Sequence, residues 1–187
     1  PNTQEHSYWN NSSTFNTADL SIVSFGGYGF YKYNNELVKK YPFGNKPGSK
    51  VQLSDIIPRY STGTALLDNT LYIFGGRGNK SGRQELFPKN YYDFYEVNLQ
   101  TNQINKLWEV THADPDFIPS ENLIYDQEKK CFYLFSTQSG GTLLKIKTDS
   151  AGFVPMSLPI DIDLEAQFIY SNLYYSPSQK KLYALLN

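Results

Sequence analysis

Cysteine occurs once in this 187-residue chain, methionine once and histidine twice. A lone cysteine, Cys131, makes no internal disulfide, so no covalent staple supports the fold and thiol usage does not report a redox compartment. His6 and His112 lie far apart in the chain, and with one cysteine they supply few imidazole or thiolate ligands. No metal and no other cofactor is expected. An excess of charge of either sign is also missing. Charged residues make up 19% and the formal net charge is −1, which leaves no basic field to draw in nucleic acid. No apolar run approaches the ~18 residues of a membrane span, so direct membrane insertion of this segment is not expected. No long stretch keeps a helical period. The chain opens on Pro rather than Met and shows no signal peptide, from which we expect a piece of a longer polypeptide.

Aromatic residues are what the chain has in quantity, at 16%, with 16 Tyr and 12 Phe. They suit flat, half-buried strand surfaces. The length allows one domain with a sizeable core. A repeat organises that core. Tyr72-Ile73-Phe74-Gly75-Gly76 is preceded by Val23-Ser24-Phe25-Gly26-Gly27, about 50 residues earlier. Phe132-Tyr133-Leu134-Phe135 and Leu182-Tyr183-Ala184-Leu185 follow at a similar period, and Asn122-Leu123-Ile124-Tyr125 aligns with Asn172-Leu173-Tyr174-Tyr175. The step between the second and third units is longer, with the surplus in Arg77 to Asn90. Each unit reads as four short strands of period near two. In the second unit they are Gly63–Leu67, Thr70–Phe74, Asp93–Leu99 and Gln103–Val110. Phe30-Tyr31-Lys32-Tyr33 and Leu143-Leu144-Lys145-Ile146-Lys147 read as third strands of other units. The first 16 residues, with Tyr8, Trp9 and Phe15, are expected to supply the inner strand of the first. The double glycines suit a strand exit where another backbone comes close.

Pro58-Arg59-Tyr60, then Leu71 to Gly76, then Asp93-Phe94-Tyr95-Glu96-Val97-Asn98, then Thr101 and Ile104, together resemble a kelch repeat. The resemblance is strong in the second unit and weaker in the others. Gly63 or Thr64 stands where His is frequent, and Ser136-Thr137 replaces the third double glycine. It implies an all-β fold, a β-propeller segment of four-stranded antiparallel blades similar to the central domain of galactose oxidase, with the ring incomplete in this chain. The expected blades are residues 1–57, 58–118, 119–165 and a partial one at 166–187. Leu182–Leu185 is expected to pair with a strand near Phe168–Tyr175 and to leave its other edge uncovered, which favours self-association through open blade edges.

Candidate site residues fall on the connections after the second strands, which the resemblance places on the binding face. Tyr28 and Gln138 occupy that connection in the first and third units. The excursion Arg77 to Glu85 is expected to be flexible, and its basic residues Arg77, Lys80 and Arg83 suit a carboxylate or an acidic surface. Cys131 reads as a small core filler rather than a cross-link. The pairs Asp114 and Asp116, and Asp161 and Asp163, read as solvated loop. The expected function is a non-catalytic recognition module that binds a protein or glycan through its loop face. The alternatives are a carbohydrate-active enzyme, similar to a sugar oxidase or a sialic acid epimerase, and a sensor segment of a larger bacterial membrane protein. Composition that is rich in Tyr, Asn and Ser and poor in Cys favours an extracytoplasmic setting, periplasmic or secreted.

Overall fold

Residues 8–114, 116–136, 141–160 and 171–186 are described by a computed structural model, and among them every regular element is a strand. The first sheet is antiparallel, in the order β1 (Ser12–Asn16), β2 (Ser21–Phe25), β3 (Glu36–Lys40) and β4 (Ser49–Gln52). In the second, β7 (Thr70–Gly78) pairs on one side with β5 (Arg59–Tyr60) and β6 (Gly63–Leu67), and on the other with β8 (Lys89–Asn98), which carries β9 (Ile104–Val110). β5 and β6 are one strand position interrupted at Ser61, whose φ is +51°. The third sheet runs β10 (Ile124–Asp126), β11 (Cys131–Ser136), β12 (Thr142–Ile146) and β13 (Phe153–Pro155). A pair, β14 (Ser171–Ser176) with β15 (Lys181–Leu186), follows.

Alternation along the strands explains why these sheets stack in series. A strand sends successive side chains to opposite faces. In β7, Leu71 and Ile73 pack with Val23, Phe25, Leu37, Leu53 and Ile56 of the first sheet and its exit. Phe74 and Tyr72 turn the other way, onto Leu123, Phe132 and Leu134 of the third. β8 divides its residues likewise, Tyr95 and Val97 to one side and Tyr92 and Phe94 to the other. In β11, Phe132 and Leu134 face the second sheet while Cys131, Tyr133 and Phe135 pack on Leu173 of β14. Cys131 is therefore a buried core residue. Each middle sheet is apolar on both faces because a neighbour covers both.

The first strands lie side by side. Thr64 N donates to Glu121 O at 3.0 Å, and Leu123 N to Thr64 O at 2.8 Å. Glu121 N donates to Ser171 O at 3.0 Å, and Leu173 N to the Asn122 side-chain oxygen at 2.7 Å. Ser12 Oγ reaches Thr62 Oγ1 at 2.9 Å and its carbonyl oxygen. The turn after each first strand repeats as well: Leu20, Asp68, Lys130 and Lys180 all have φ between +52° and +56° or near it, at +51° and +53° for the two lysines.

Three expectations need correction. Phe30 to Tyr33 is not the third strand of the first sheet; that strand is β3, beginning at Glu36. Asn35 supplies the reason. Its buried amide donates to Leu53 O at 3.0 Å and Ile56 O at 2.8 Å, while Tyr33 N donates to Gly82 O at 2.7 Å rather than to β2. The double glycine of the second unit is not a strand exit either. The ladder shifts register between Phe74 and Gly76 and continues to Gly78. A Cβ on Gly76, at φ +106°, would sit 2.6 Å from Thr62 Cγ2, so the bulge admits only glycine without displacement. Consequently Arg77 lies on a strand, paired with Tyr60 and Asn90. The stretch Arg77 to Glu85 is also not a free excursion, as described next.

Candidate functional site

Two connections meet beyond the ends of β2 and β7. One runs from Gly26 to Asn35, the other from Asn79 to Pro88. Gly26 starts the first at φ +71°, and a Cβ there would lie 2.6 Å from Arg59 O. That close approach lets Gly27 N donate to Arg59 O at 2.8 Å. The second connection is tied from within. The Asn79 amide donates to Arg83 O at 2.8 Å and Leu86 O at 3.0 Å, and Ser81 Oγ donates to Asn79 Oδ1 at 2.8 Å. Across the seam, Gln84 N donates to Tyr31 O at 3.2 Å and the Gln84 amide to Gly29 O. The expectation of flexibility at 77–85 therefore fails for a specific reason: one Asn closes the loop and its neighbour connection holds it.

Aromatic residues crowd this seam. Tyr28, Tyr33 and Tyr60 form a mutual cluster, with Tyr33 stacked on Tyr60 at 5.4 Å and Tyr28 edge-on to Tyr60 at 5.2 Å. Trp9 joins it through Tyr28 at 5.9 Å and meets Phe30 edge-on at 5.2 Å. Phe30 is 82% exposed, Tyr31 79% and Phe87 98%. A cleft of about 540 Å³ opens beside Phe30 and Tyr31, lined also by Tyr8, Asn34, Glu36, Gln52 and Ser81 among others. Such geometry offers ring faces and edges to a ligand, plus amides for its hydroxyls.

Two arginines stand next to each other on this end of the second sheet. Arg59 is fully buried. Its guanidinium grips the Asp93 carboxylate, with Nη2 to Oδ2 at 3.0 Å, and donates to Gly75 O at 3.0 Å and Ile57 O at 2.8 Å. Tyr95 OH donates to the same carboxylate at 3.0 Å. Burial, more than the negative charge of Asp93, pushes the Tyr95 phenol well above its ordinary range. Arg77 differs. It is half-buried, and its Nη1 donates to the neutral Asn90 amide at 3.2 Å. Among the described residues no carboxylate pairs with it. Asn90 passes a hydrogen bond on to Asp116 at 2.8 Å, and Tyr92 OH donates to the same carboxylate. Burial raises the Tyr33 phenol above its usual value, with the positive charge of Arg77 acting against it.

No model of a known family matches the chain, and no curated protein matches it.

Four of the residues singled out from the sequence, Tyr28, Arg77, Lys80 and Arg83, lie on the two connections or the strand ends they leave. Lys80 is exposed on the turn that starts at Asn79, and Arg83 is exposed where its backbone bridges Lys32. Gln138 lies outside the described residues, as do His6, Asp161 and Asp163. His112 is exposed, and among the described residues no group of His, Cys, Asp and Glu is arranged to hold a metal ion. Asp114 and Asp116 are exposed, but Asp116 is anchored by Asn90 and Tyr92 rather than merely solvated. Trp9, Phe30, Tyr31 and Tyr60 were not candidates. The dense aromatic run Tyr28-Gly29-Phe30-Tyr31-Lys32-Tyr33 was the available signal, and reading it as a strand hid it.

Proposed function

We propose that this chain is a segment of a kelch-like β-propeller and acts as a non-catalytic recognition module, binding a protein or glycan through the face built by its connections. The serial stacking of antiparallel sheets and the adjacent first strands support the propeller reading. The outer faces of the first and last sheets support the idea that the stack continues. They expose Phe15 and Ile22 at one end and Tyr174, Tyr183 and Leu185 at the other. The recognition reading is carried by one observation: Phe30 and Tyr31 on one connection and Phe87 on the other are exposed, with Trp9 against Phe30, while both connections are held in place by hydrogen bonds. Exposed aromatics on a fixed framework are typical of binding surfaces, because rigid rings lose little entropy on contact.

An array of glycans and peptides, probed with the protein and with a Trp9→Ala/Phe30→Ala variant, tests this. Binding that the double variant loses, at unchanged thermal midpoint, supports the reading. Binding that survives it, or that is lost instead in Tyr174→Ser/Leu185→Ser, overturns it.

A further inference from the structure

Arg77 is a half-buried residue whose one hydrogen bond within the described chain goes to a neutral amide. Withdrawing a cation from water is unfavourable unless an anion compensates it. Arg59, one ladder position away, has that compensation in Asp93. The remaining donors of Arg77 suit a planar, two-oxygen acceptor. Asn90 in turn holds the Asp116 carboxylate, which also accepts from Tyr92 OH, so that charge is shared with other donors and does not pair with Arg77 directly. Arg77, Lys80, Arg83 and Lys89 stand against Glu85 alone in the segment 77–89, although the whole chain is nearly neutral.

We infer that this face binds a carboxylate-bearing glycan, with its carboxylate on Arg77 and its sugar ring on the exposed aromatics around Trp9 and Phe30. The inference rests on the recognition reading above and names its ligand class. The ring cluster runs from Phe30 through Trp9 and Tyr28 to Tyr60, whose partner across the β5–β7 ladder is Arg77. The C–H face of a pyranose carries slight positive charge and is attracted to the negative face of an aromatic ring. Sugar hydroxyls meet donors and acceptors at hand. Tyr28 OH accepts from the Asn10 amide at 3.2 Å, which leaves its own hydrogen to donate. Tyr33 stays protonated, since burial raises its pKa, and so remains a donor. At the cleft wall, the buried Asn34 Nδ2 has no acceptor among the described residues and is a donor suited to a sugar oxygen. An extended acidic peptide would use Lys80 and Arg83 but would leave the ring faces unmatched.

Titration calorimetry against a panel of uronate- and sialate-terminated trisaccharides tests the inference, with the methyl ester of each and hexaglutamate as comparators. One or more free acids are expected to bind, with the matching ester about 10-fold to 100-fold weaker, the range for losing one charge-assisted contact. Arg77→Gln is expected to lower the acid to the affinity of its ester and to leave the ester unchanged, a split that general damage does not produce. Lys181→Gln, on the distant last strand, should bind as the parent does. If Arg77→Gln does not fold, the acid-to-ester ratio on the unsubstituted chain decides alone. Equal binding of acid and ester overturns the carboxylate inference and leaves glycan recognition standing. Binding of hexaglutamate with every sugar silent overturns the inference in favour of a peptide, and again leaves recognition standing. Silence toward all probes, together with a blank array, overturns both.

Discussion

Arg59 and Arg77 occupy adjacent rungs of one short ladder, where Arg59 pairs with Gly78 and Tyr60 with Arg77. Alternation sends them to opposite faces of the same sheet. On one face Arg59 meets a carboxylate, two carbonyls and the Tyr91 ring, with its guanidinium carbon 4.5 Å from the ring centre. Every direction from that guanidinium is filled by the chain itself. On the other face Arg77 meets the Asn90 amide, which stands between it and the Asp116 carboxylate, and no carboxylate among the described residues pairs with it directly. Identical side chains thus end in opposite roles. One is a structural tie that closes on itself, and the other holds only a neutral amide among the described residues.

The largest effect should come from opening the structural tie. Asp93→Ala leaves a fully buried guanidinium unpaired and is expected to cost about 3–5 kcal/mol in urea unfolding. Arg59→Leu combined with Asp93→Leu removes both charges and should cost clearly less than Asp93→Ala alone. Equal losses would show that packing, not charge, dominates there. Arg77→Gln sharpens the contrast. It forfeits at most one hydrogen bond within the chain, so a stability change of about 1 kcal/mol or less is expected. A loss as large as that of Asp93→Ala would make Arg77 a second structural residue.

Acid titration probes a smaller, half-buried pair at the first sheet. Lys39, at 2.6 Å, and a hydrogen bond from Ser21 hold the Asp19 carboxyl down at about 2. A carboxyl depressed in this way stabilises the fold while it is ionised. The contribution is complete above the unfolded value near 4 and fades as pH falls toward 2. Screening keeps it under about 1 kcal/mol. Unfolding free energy followed between pH 5 and pH 2 should therefore fall slightly less steeply in Asp19→Asn than in the parent. An identical slope would mean that the pair contributes nothing.

The smallest effects are expected on the uncovered surfaces. Phe87→Ser and Leu185→Ser replace exposed side chains, so each should leave unfolding free energy within about 0.5 kcal/mol. Their association behaviour should differ. Leu185→Ser with Tyr183→Ser is expected to reduce concentration-dependent sedimentation, because the last sheet offers an apolar face and an edge strand with no further partner among the described residues. Phe87→Ser should leave sedimentation unchanged. The reverse result would move self-association to the connections.

Periodicity in the sequence was enough to determine an all-β chain of antiparallel strands, because a residue's alternation is a local property. Leu71-Tyr72-Ile73-Phe74 and Cys131 to Phe135 state it in the order of their letters, and the spacing of the units made their repetition visible. A strand for the first sheet within the first 16 residues was readable from its aromatic content, and the structure places it at Ser12–Asn16. Other features depended on distant partners. Nothing near Tyr33 in the chain announces that its N–H will bond Gly82, so the start of β3 at Glu36 was legible only after Asn35 was seen anchored to Leu53 and Ile56. The Asn79 side chain that closes its loop looks, as a letter, like any loop asparagine. Arg59 and Arg77 were both present in the sequence as basic residues near a double glycine. Which of them meets a carboxylate depends on a bulge at Gly75 and Gly76 and on Asp93 arriving from another strand. Charge compensation is a matter of distance in space, and only the tertiary structure decides that.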